Sequence, residues 1–165
     1  MLYDLIILGG GAAGIFAAIN AKLTHPTASI LLLEKNAVLL TKVRISGGGR
    51  CNVTHACFES KQLIKNYPRG EKELLGPFHV FGPGDTIKWF ESKGVLLKTE
   101  ADGRIFPQTD QSETIIQALL KEANRLGVII KLTEHIEILE HSESYFILRT
   151  KKDQIYQTIN LLLAT

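Results

Sequence analysis

LYDLIILGGGAAGIFAAINAKLTHPTASILLLE, from Leu2 to Glu34, is the stretch that decides the fold of this chain. It opens on an almost unbroken apolar run, the pattern of a strand buried on both faces of a parallel sheet. A glycine-rich turn follows, and apolar residues then recur every fourth position from Ile15 to Leu23, which is the spacing of an amphipathic helix. A second apolar strand covers residues 29–33 and ends on the acid. The order of strand, glycine turn, helix and strand predicts the first βαβ unit of a parallel sheet.

Three glycines of the turn fit the binding of a dinucleotide. Gly9 allows a tight turn off the strand, Gly11 lets a pyrophosphate approach the backbone, and Gly14 lets the helix pack close to the strand. The helix N-terminus adds unpaired N–H groups and the positive end of its dipole. Glu34 lies 20 positions after Gly14, where a carboxylate can accept hydrogen bonds from both hydroxyls of an adenosine ribose and repel a 2′-phosphate. The stretch therefore predicts a site for FAD or NAD rather than NADP; the alternative is an ordinary glycine turn of an α/β domain.

Composition places the chain among globular proteins. Its 165 residues are 45% hydrophobic and 22% charged, which suits one domain with a sizeable core. The net charge of +2 favours neither nucleic acid nor an anionic membrane as a partner. No apolar run approaches the roughly 20 residues of a membrane span, and the N-terminus lacks the basic region of a signal peptide. We therefore expect a cytoplasmic protein without nucleic-acid or membrane partners.

The end of the sequence predicts that the chain is a fragment. It stops at Ala164-Thr165, directly after an apolar segment typical of a buried strand, whereas natural ends usually lie at the surface. We expect residues 1–165 to form an N-terminal domain that is cut before a substrate domain. Its open sheet edge would be hidden in a homo-oligomer.

A second glycine-rich loop, ISGGGRCN, covers residues 45–52. Three consecutive glycines make the interior of a helix or strand improbable here, and they suit a backbone that lies against something flat or anionic. Lys42, Arg44 and Arg50 supply positive charge beside the loop. A flexible surface loop is the alternative.

Periodicity and turn residues predict the remaining elements. Residues 58–81 should carry short helical pieces that Pro77 interrupts. Asp85 should cap a helix that ends near residue 92. Two short strands, 95–97 and 104–106, should pair across an Asp-Gly turn.

The last third of the chain should hold one helix and several strands. Asp110 and Glu113 form a capping-box signature for a helix that ends near Leu126. Alternation and apolar runs predict strands at 128–132, 136–140, 145–150, 154–158 and 161–163. The whole predicts an α/β fold: a Rossmann-like domain with a parallel sheet, flanking helices and a small antiparallel excursion of three strands.

With both glycine loops in view, the sequence resembles the N-terminal part of a flavoprotein with two dinucleotide-binding domains. More narrowly, it resembles the bacterial BaiN-type (aminoacetone-oxidase-like) NAD(P)/FAD-dependent oxidoreductases. The matching segments are residues 9–14, 34–36, 45–54, 103–107 and 163–165. The string SGGGRCN at 46–52 is the most specific of them, since many flavoproteins share the first glycine turn.

The resemblance implies FAD as the cofactor, with NAD(P)H as an electron donor in the complete enzyme. It assigns the pyrophosphate to Gly9, Gly11, Ala12, Ala13 and Gly14, the ribose to Glu34 and the flank of the adenosine to Lys35. It assigns the phosphates, the ribityl chain and the flavin ring to Lys42, Ser46, Gly47, Gly48, Gly49, Arg50, Cys51 and Asn52. Ile136 would bind adenine through its backbone, and Thr165 would approach the cofactor again.

The remaining chemistry-bearing residues leave alternatives open. Cys51 and Cys57 could be a redox-active pair, although their spacing departs from that of disulfide reductases; two separate thiols are the other interpretation. Together with His55 they fit no common zinc pattern, so no metal site is predicted. No residue is assigned a catalytic role, because in flavoenzymes the cofactor carries the hard chemistry.

Three functions follow from these observations. The first is the FAD-binding part of an oxidoreductase that transfers hydride between NAD(P)H or a small organic substrate and an acceptor. The second is an inert dinucleotide-binding fragment. The third is the NAD-binding domain of a dehydrogenase, which leaves the second glycine loop unexplained.

Overall fold

The computed structural model describes all residues 1–165 and divides them into two units. Unit 1 consists of residues 1–43 and 119–165, and unit 2 of residues 44–118. The helices are α1 (Ala12–Thr24), α2 (Thr41–Ile45), α3 (Ser60–Leu63), α4 (Glu71–Val80), α5 (Pro83–Ser92) and α6 (Ser112–Arg125), with 3-10 turns at Ser46–Gly49 and Ile64–Asn66. The strands are β1 (Leu2–Leu8), β2 (Ile30–Leu33), β3 (Thr54–His55), β4 (Leu97–Thr99), β5 (Arg104–Pro107), β6 (Ile129–Lys131), β7 (Ile136–His141), β8 (Phe146–Thr150) and β9 (Ile155–Leu163). None of the helices is long and apolar enough to cross a membrane.

A six-stranded sheet with the order β6-β2-β1-β9-β8-β7 forms the body of unit 1. Its first four strands are parallel, whereas β9, β8 and β7 pair antiparallel. Leu8 pairs with Leu33 of β2 and with Leu163 of β9, so three strands end at the same edge. Parallel sheets bind their ligands beyond such carboxyl ends. The predicted Rossmann-like α/β class, with its small antiparallel part, is confirmed.

The core of unit 1 follows the apolar runs of its sequence. All four residues of β2 are buried, as the pattern of a strand covered on both faces predicts. Ile15 and Ile19 of α1 are fully buried. Leu23, in the last turn of the helix, is 47% exposed and is not part of the core. The predicted stripe is therefore correct over the first turns of α1 and wrong at its end.

The strand β9 is longer than the alternation predicts. Residues 154–158 and 161–163 belong to one strand, which pairs with β8 on one side and with β1 on the other. Thr158 lies at the end of the first predicted segment, and its buried hydroxyl is 3.1 Å from the carbonyl oxygen of Tyr3 on β1. The pairing with β1 continues past this residue to Leu163, so the two predicted strands are one.

Unit 2 contains a three-stranded antiparallel sheet with the order β3-β5-β4. Leu97 pairs with Pro107, so the hairpin is predicted correctly but begins two residues later than expected. Pro77 lies inside α4 rather than between two helices. The helix continues for three residues beyond it and closes with the bond from the Phe81 N–H to the Pro77 carbonyl. Proline lacks only a donor, so the carbonyl side of the turn still forms.

Of the two acidic residues predicted as helix caps, Asp85 caps its helix and Asp110 does not. Asp85 lies at the third position of α5, and its carboxylate accepts the backbone N–H of Gly82 at 3.0 Å. Asp110 precedes α6 in a left-handed conformation (φ 54°) and forms ion pairs with Lys98 and Arg50. Local spacing therefore predicts the cap of α5 correctly, whereas the Asp110 carboxylate is bound by Lys98 and Arg50 instead of by the start of α6.

Candidate dinucleotide-binding site

The turn between β1 and α1 brings three segments of unit 1 together. The Gly9 N–H donates to the carbonyl of Leu33 at 2.9 Å, and the Ala164 N–H donates to the carbonyl of Leu8 at 2.8 Å. Gly9 has a φ of 117°, and a Cβ there would lie only 2.4 Å from the carbonyl oxygen of Ala164. Only glycine meets both the conformation and the close approach. The end of β9 therefore lies directly against the first glycine of the turn.

The other two glycines of the pattern have opposite surroundings. A Cβ on Gly14 would lie 1.9 Å from the carbonyl oxygen of Gly9, so the first turn of α1 packs against the glycine turn itself. A Cβ on Gly11 would meet nothing within 4 Å. Gly11 is the N-cap of α1 and provides no capping side chain, so this end of the helix presents backbone N–H groups and its positive dipole end to the open side. This is the cradle that a pyrophosphate requires.

Glu34 lies directly after β2, beside the glycine turn. It is only 8% exposed, and its Oε2 accepts the backbone N–H of Gly10 at 2.6 Å. Its Oε1 accepts the backbone N–H and the Nδ2 of Asn36, each at 2.8 Å. The carboxylate is therefore fixed beside the glycine turn by three donors. The sequence predicts its place but not its partner Asn36.

The connection between β6 and β7 forms the opposite wall. The Glu34 N–H donates to the carbonyl of Lys131 at 3.0 Å, and the Glu134 N–H donates to the carbonyl of Glu34 at 2.9 Å. These bonds bring Glu134, His135 and Ile136 to the carboxyl end of β2. One carboxylate oxygen of Glu134 is buried without a hydrogen-bond partner. Nothing in the local sequence marks Glu134 as a wall of the site.

Together these segments enclose a cleft of about 710 Å³, which lies within the usual range for small-molecule sites. Of the residues predicted to bind the cofactor, it is lined by Gly9, Gly11, Ala12, Ala13, Glu34, Lys35, Lys42, Ile136 and Thr165. The predicted Gly14 is buried beneath the turn instead. The lining residues that sequence reasoning missed are Leu8, Gly10, Leu33, Asn36, Val38, Leu40, Thr41, Val43, Glu134, His135 and Ala164. Most of the missed residues are apolar or backbone contributors, for which a sequence carries no distinct signal.

The second glycine loop belongs to unit 2 and has a defined conformation. Gly47, Gly48 and Gly49 have φ angles of 57°, 69° and 87°, and Cys51 shares the left-handed region at 62°. A Cβ on Gly47 would lie 2.8 Å from the ring of Phe106. The loop thus needs glycine where it passes over an aromatic ring, which favours an ordered loop over a flexible one.

Arg50 ties this loop to the sheet of unit 2. Its guanidinium lies 3.9 Å from the ring centroid of the fully buried Phe106. It also lies 2.5 Å from a carboxylate oxygen of Glu100 and 3.5 Å from one of Asp110. Two carboxylates and an aromatic face therefore already surround its positive charge.

Hydrogen bonds fix both ends of the loop. The Ser112 hydroxyl donates to the carbonyl of Arg44 at 2.8 Å. The Val53 N–H donates to the carbonyl of Ile105 at 2.8 Å. The side-chain amide of Asn52, in the orientation that satisfies both of its polar atoms, donates to the same carbonyl. Asn52 thus links the loop to β5 by a hydrogen bond.

The two cysteines are both free thiols. Cys51 is 6% exposed, and burial raises the pKa of its thiol. A thiol with a raised pKa stays protonated at neutral pH and is a poor nucleophile. The structure also contains no group of three His, Cys, Asp or Glu residues that could hold a metal ion.

Comparison with known proteins identifies the family. The profile described as "HI0933-like protein Rossmann domain" matches residues 3–165. The chain belongs to this family. The resemblance to the BaiN-type oxidoreductases inferred from the glycine loops is thereby confirmed.

Curated relatives are enzymes of more than one kind. Over 143 residues the chain is 32% identical to the 3-dehydro-bile acid delta(4,6)-reductase of Clostridium scindens, a match that covers 87% of this chain and 34% of the relative. It is 27% identical over 146 residues to the ribosomal RNA dihydrouridine synthase of Escherichia coli, covering 88% of this chain and 35% of that one. The chain therefore spans about a third of the length of these relatives.

Solved structures share the fold. The 3-ketosteroid-delta4-(5alpha)-dehydrogenase of Rhodococcus jostii RHA1 matches with a TM-score of 0.69 and 14% identity, over 98% of this chain and 45% of that one. The quinol fumarate reductase of E. coli matches with a TM-score of 0.67 and 14% identity, over 100% of this chain and 32% of that one. Taken with the family, these folds make the chain a Rossmann domain of the kind with which flavin oxidoreductases bind FAD.

Proposed function

We propose that the cleft of unit 1 binds the adenosine diphosphate half of FAD, and that the complete protein is a flavin-dependent oxidoreductase. One observation carries the proposal: the buried carboxylate of Glu34 is fixed by the Gly10 N–H at 2.6 Å, beside a helix N-terminus whose first residue, Gly11, faces open space. A diphosphate fits against the open backbone, and a ribose fits against the carboxylate.

The roles of the lining residues follow from their places in the cleft. Gly11, Ala12 and Ala13 present the start of α1 to the pyrophosphate. Ile136, at the start of β7, would bind adenine through its backbone. The other proposed contacts in the cleft are Gly9, Lys35, Lys42 and Thr165. Gly14 serves the site by letting α1 approach the turn.

The loop of residues 46–52 is proposed to follow the ribityl chain and the flavin ring. Its glycines leave the backbone accessible, and its fixed ends keep it ordered without a ligand. Bound FAD would supply the acceptor for a hydride, with NAD(P)H as the donor or a small organic molecule as the substrate.

The substrate is proposed to be a small organic molecule rather than RNA. The relative with the higher identity is named for a bile acid, whereas two relatives at 27% identity are named for ribosomal RNA. Formal charge also favours a small substrate, because the net charge of +2 provides no strong attraction for a polyanion. A cytoplasmic location and the absence of a membrane partner remain predictions from the sequence.

A binding experiment tests the cofactor. We expect the purified chain to bind FAD more tightly than NAD when each is titrated in a calorimeter. Replacing Glu34 with Gln should weaken FAD binding about 10- to 100-fold, since a hydrogen bond to a charged group contributes about 1.5–3 kcal/mol. Glu143→Gln, in an exposed turn, is the matched control and should leave the affinity unchanged. Tighter binding of NAD than of FAD would instead favour the dehydrogenase alternative, and binding of neither would refute a dinucleotide site.

A further inference from the structure

The hydrogen-bond capacity of the Glu34 carboxylate limits what it can still bind. A carboxylate offers about four acceptor positions, two on each oxygen. Oε1 is saturated, because it accepts both the backbone N–H and the Nδ2 of Asn36 at 2.8 Å. Oε2 accepts one donor, the Gly10 N–H at 2.6 Å. One position on Oε2 is left.

An adenosine ribose presents two neighbouring hydroxyls, at the 2′ and 3′ positions. Glu34 has one free position, so it can accept from only one of them without losing a bond to the protein. The second hydroxyl would be removed from water in the cleft and needs another acceptor, because an unpaired buried hydroxyl is costly.

Asn36 provides that acceptor. It lines the same cleft, and its Nδ2 is anchored on Oε1 of Glu34. An amide held by its nitrogen has its carbonyl oxygen fixed as well, since the group is planar. Backbone bonds hold the residue at both ends, through its N–H to Glu34 and through its carbonyl, which accepts the Thr133 N–H at 3.1 Å. The Oδ1 of Asn36 takes part in no hydrogen bond within the chain.

We infer that Glu34 and Asn36 recognise the ribose as a pair, in which Oε2 of Glu34 accepts from one hydroxyl and Oδ1 of Asn36 accepts from the other. The inference rests on the proposed function and makes Asn36 a specificity-determining residue of that site. The ligand class is an adenosine nucleotide with both hydroxyls free. A 2′-phosphate would be repelled by the negative charge of Glu34.

The test measures the affinity of the 165-residue chain for ADP, 2′-deoxy-ADP and 3′-deoxy-ADP by calorimetry. In the wild-type chain we expect two unequal losses. Removing the hydroxyl bound to the charged Glu34 should weaken binding about 10- to 100-fold, and removing the hydroxyl bound to the neutral Asn36 about 3- to 10-fold. If Glu34 accepted from both hydroxyls, the two losses would be similar and both large.

The variant Asn36→Leu is nearly isosteric and neither donates nor accepts. It also removes the Nδ2 bond to Oε1, which frees a second acceptor position on Glu34, so the two losses should become similar in this variant. Asn36→Ala serves the same purpose if the leucine variant does not fold. Asn124→Leu, at an exposed position of α6, is the matched control and should keep both losses.

The outcomes separate this inference from the proposed function. Equal losses in the wild type, or the same two unequal losses in Asn36→Leu as in the wild type, would overturn the pair while leaving an ADP site in place. No binding of ADP to the wild-type chain would overturn the pair and the proposed function together.

Discussion

Replacing Gly14 with alanine tests whether the glycine turn and α1 are packed as the structure shows. Alanine normally stabilises the interior of a helix by about 0.5–1 kcal/mol relative to glycine. At Gly14, however, the new Cβ would lie 1.9 Å from the carbonyl oxygen of Gly9, and real Cβ atoms do not come within 3.0 Å of such an atom. The start of α1 must therefore move by roughly 1 Å. Overpacking of this kind costs about 1–3 kcal/mol, so we expect a net loss of about 1–2 kcal/mol.

Gly84→Ala is the matched control. Gly84 also lies inside a helix, α5, but a Cβ there would make only an ordinary contact with Phe58, at 3.9 Å. The same substitution should raise stability by up to about 1 kcal/mol. Urea unfolding followed by circular dichroism measures both changes, and the fluorescence of the single tryptophan, Trp89, reports on unit 2 separately. If Gly14→Ala proved as stable as Gly84→Ala, the close approach of α1 to the turn would be refuted.

Three further predictions concern charged groups and a thiol. A double-mutant cycle of Arg50→Ala and Glu100→Ala should show a coupling of about 0.5–1 kcal/mol in the free energy of urea unfolding, because the two side chains are 2.5 Å apart and partly exposed. Additive effects of the two substitutions would contradict the pairing. The hydroxyl and N–H of Ser29 donate to the carboxylate of Asp4 and lower its pKa. The stabilisation from Asp4 should therefore be complete above the pKa of an unfolded aspartate and be lost as the pH falls through the lower folded value. Asp4→Asn should reduce the acid sensitivity of the melting temperature, and an unchanged pH profile would contradict this. Cys51 is buried and the pKa of its thiol is raised, so iodoacetamide should alkylate it more slowly than Cys57 in the native chain. In urea the two cysteines should react at the same rate, as followed by mass spectrometry. Equal rates in the native chain would contradict the burial of Cys51.

The glycine turn shows how far local sequence can specify a site. The apolar run of β1, the glycines, the helical spacing of Ile15 and Ile19 and the acid after β2 are all confirmed where they were expected. Each of these features depends on neighbours within one strand or one helix turn. Such short-range constraints are written into the spacing of residue types, so the sequence is sufficient to predict them.

Pairing between distant segments decided the rest. Glu134 became a wall of the cleft, because the backbone of the β6–β7 connection bonds to the carboxyl end of β2. Arg50 carries the charge expected of a phosphate ligand, but Glu100 already neutralises it from the far end of a hairpin. Sequence by itself therefore determined the cradle for a dinucleotide. Only the tertiary structure decided which side chains surround that cradle, since hydrogen bonds between residues far apart in the chain have no local periodicity.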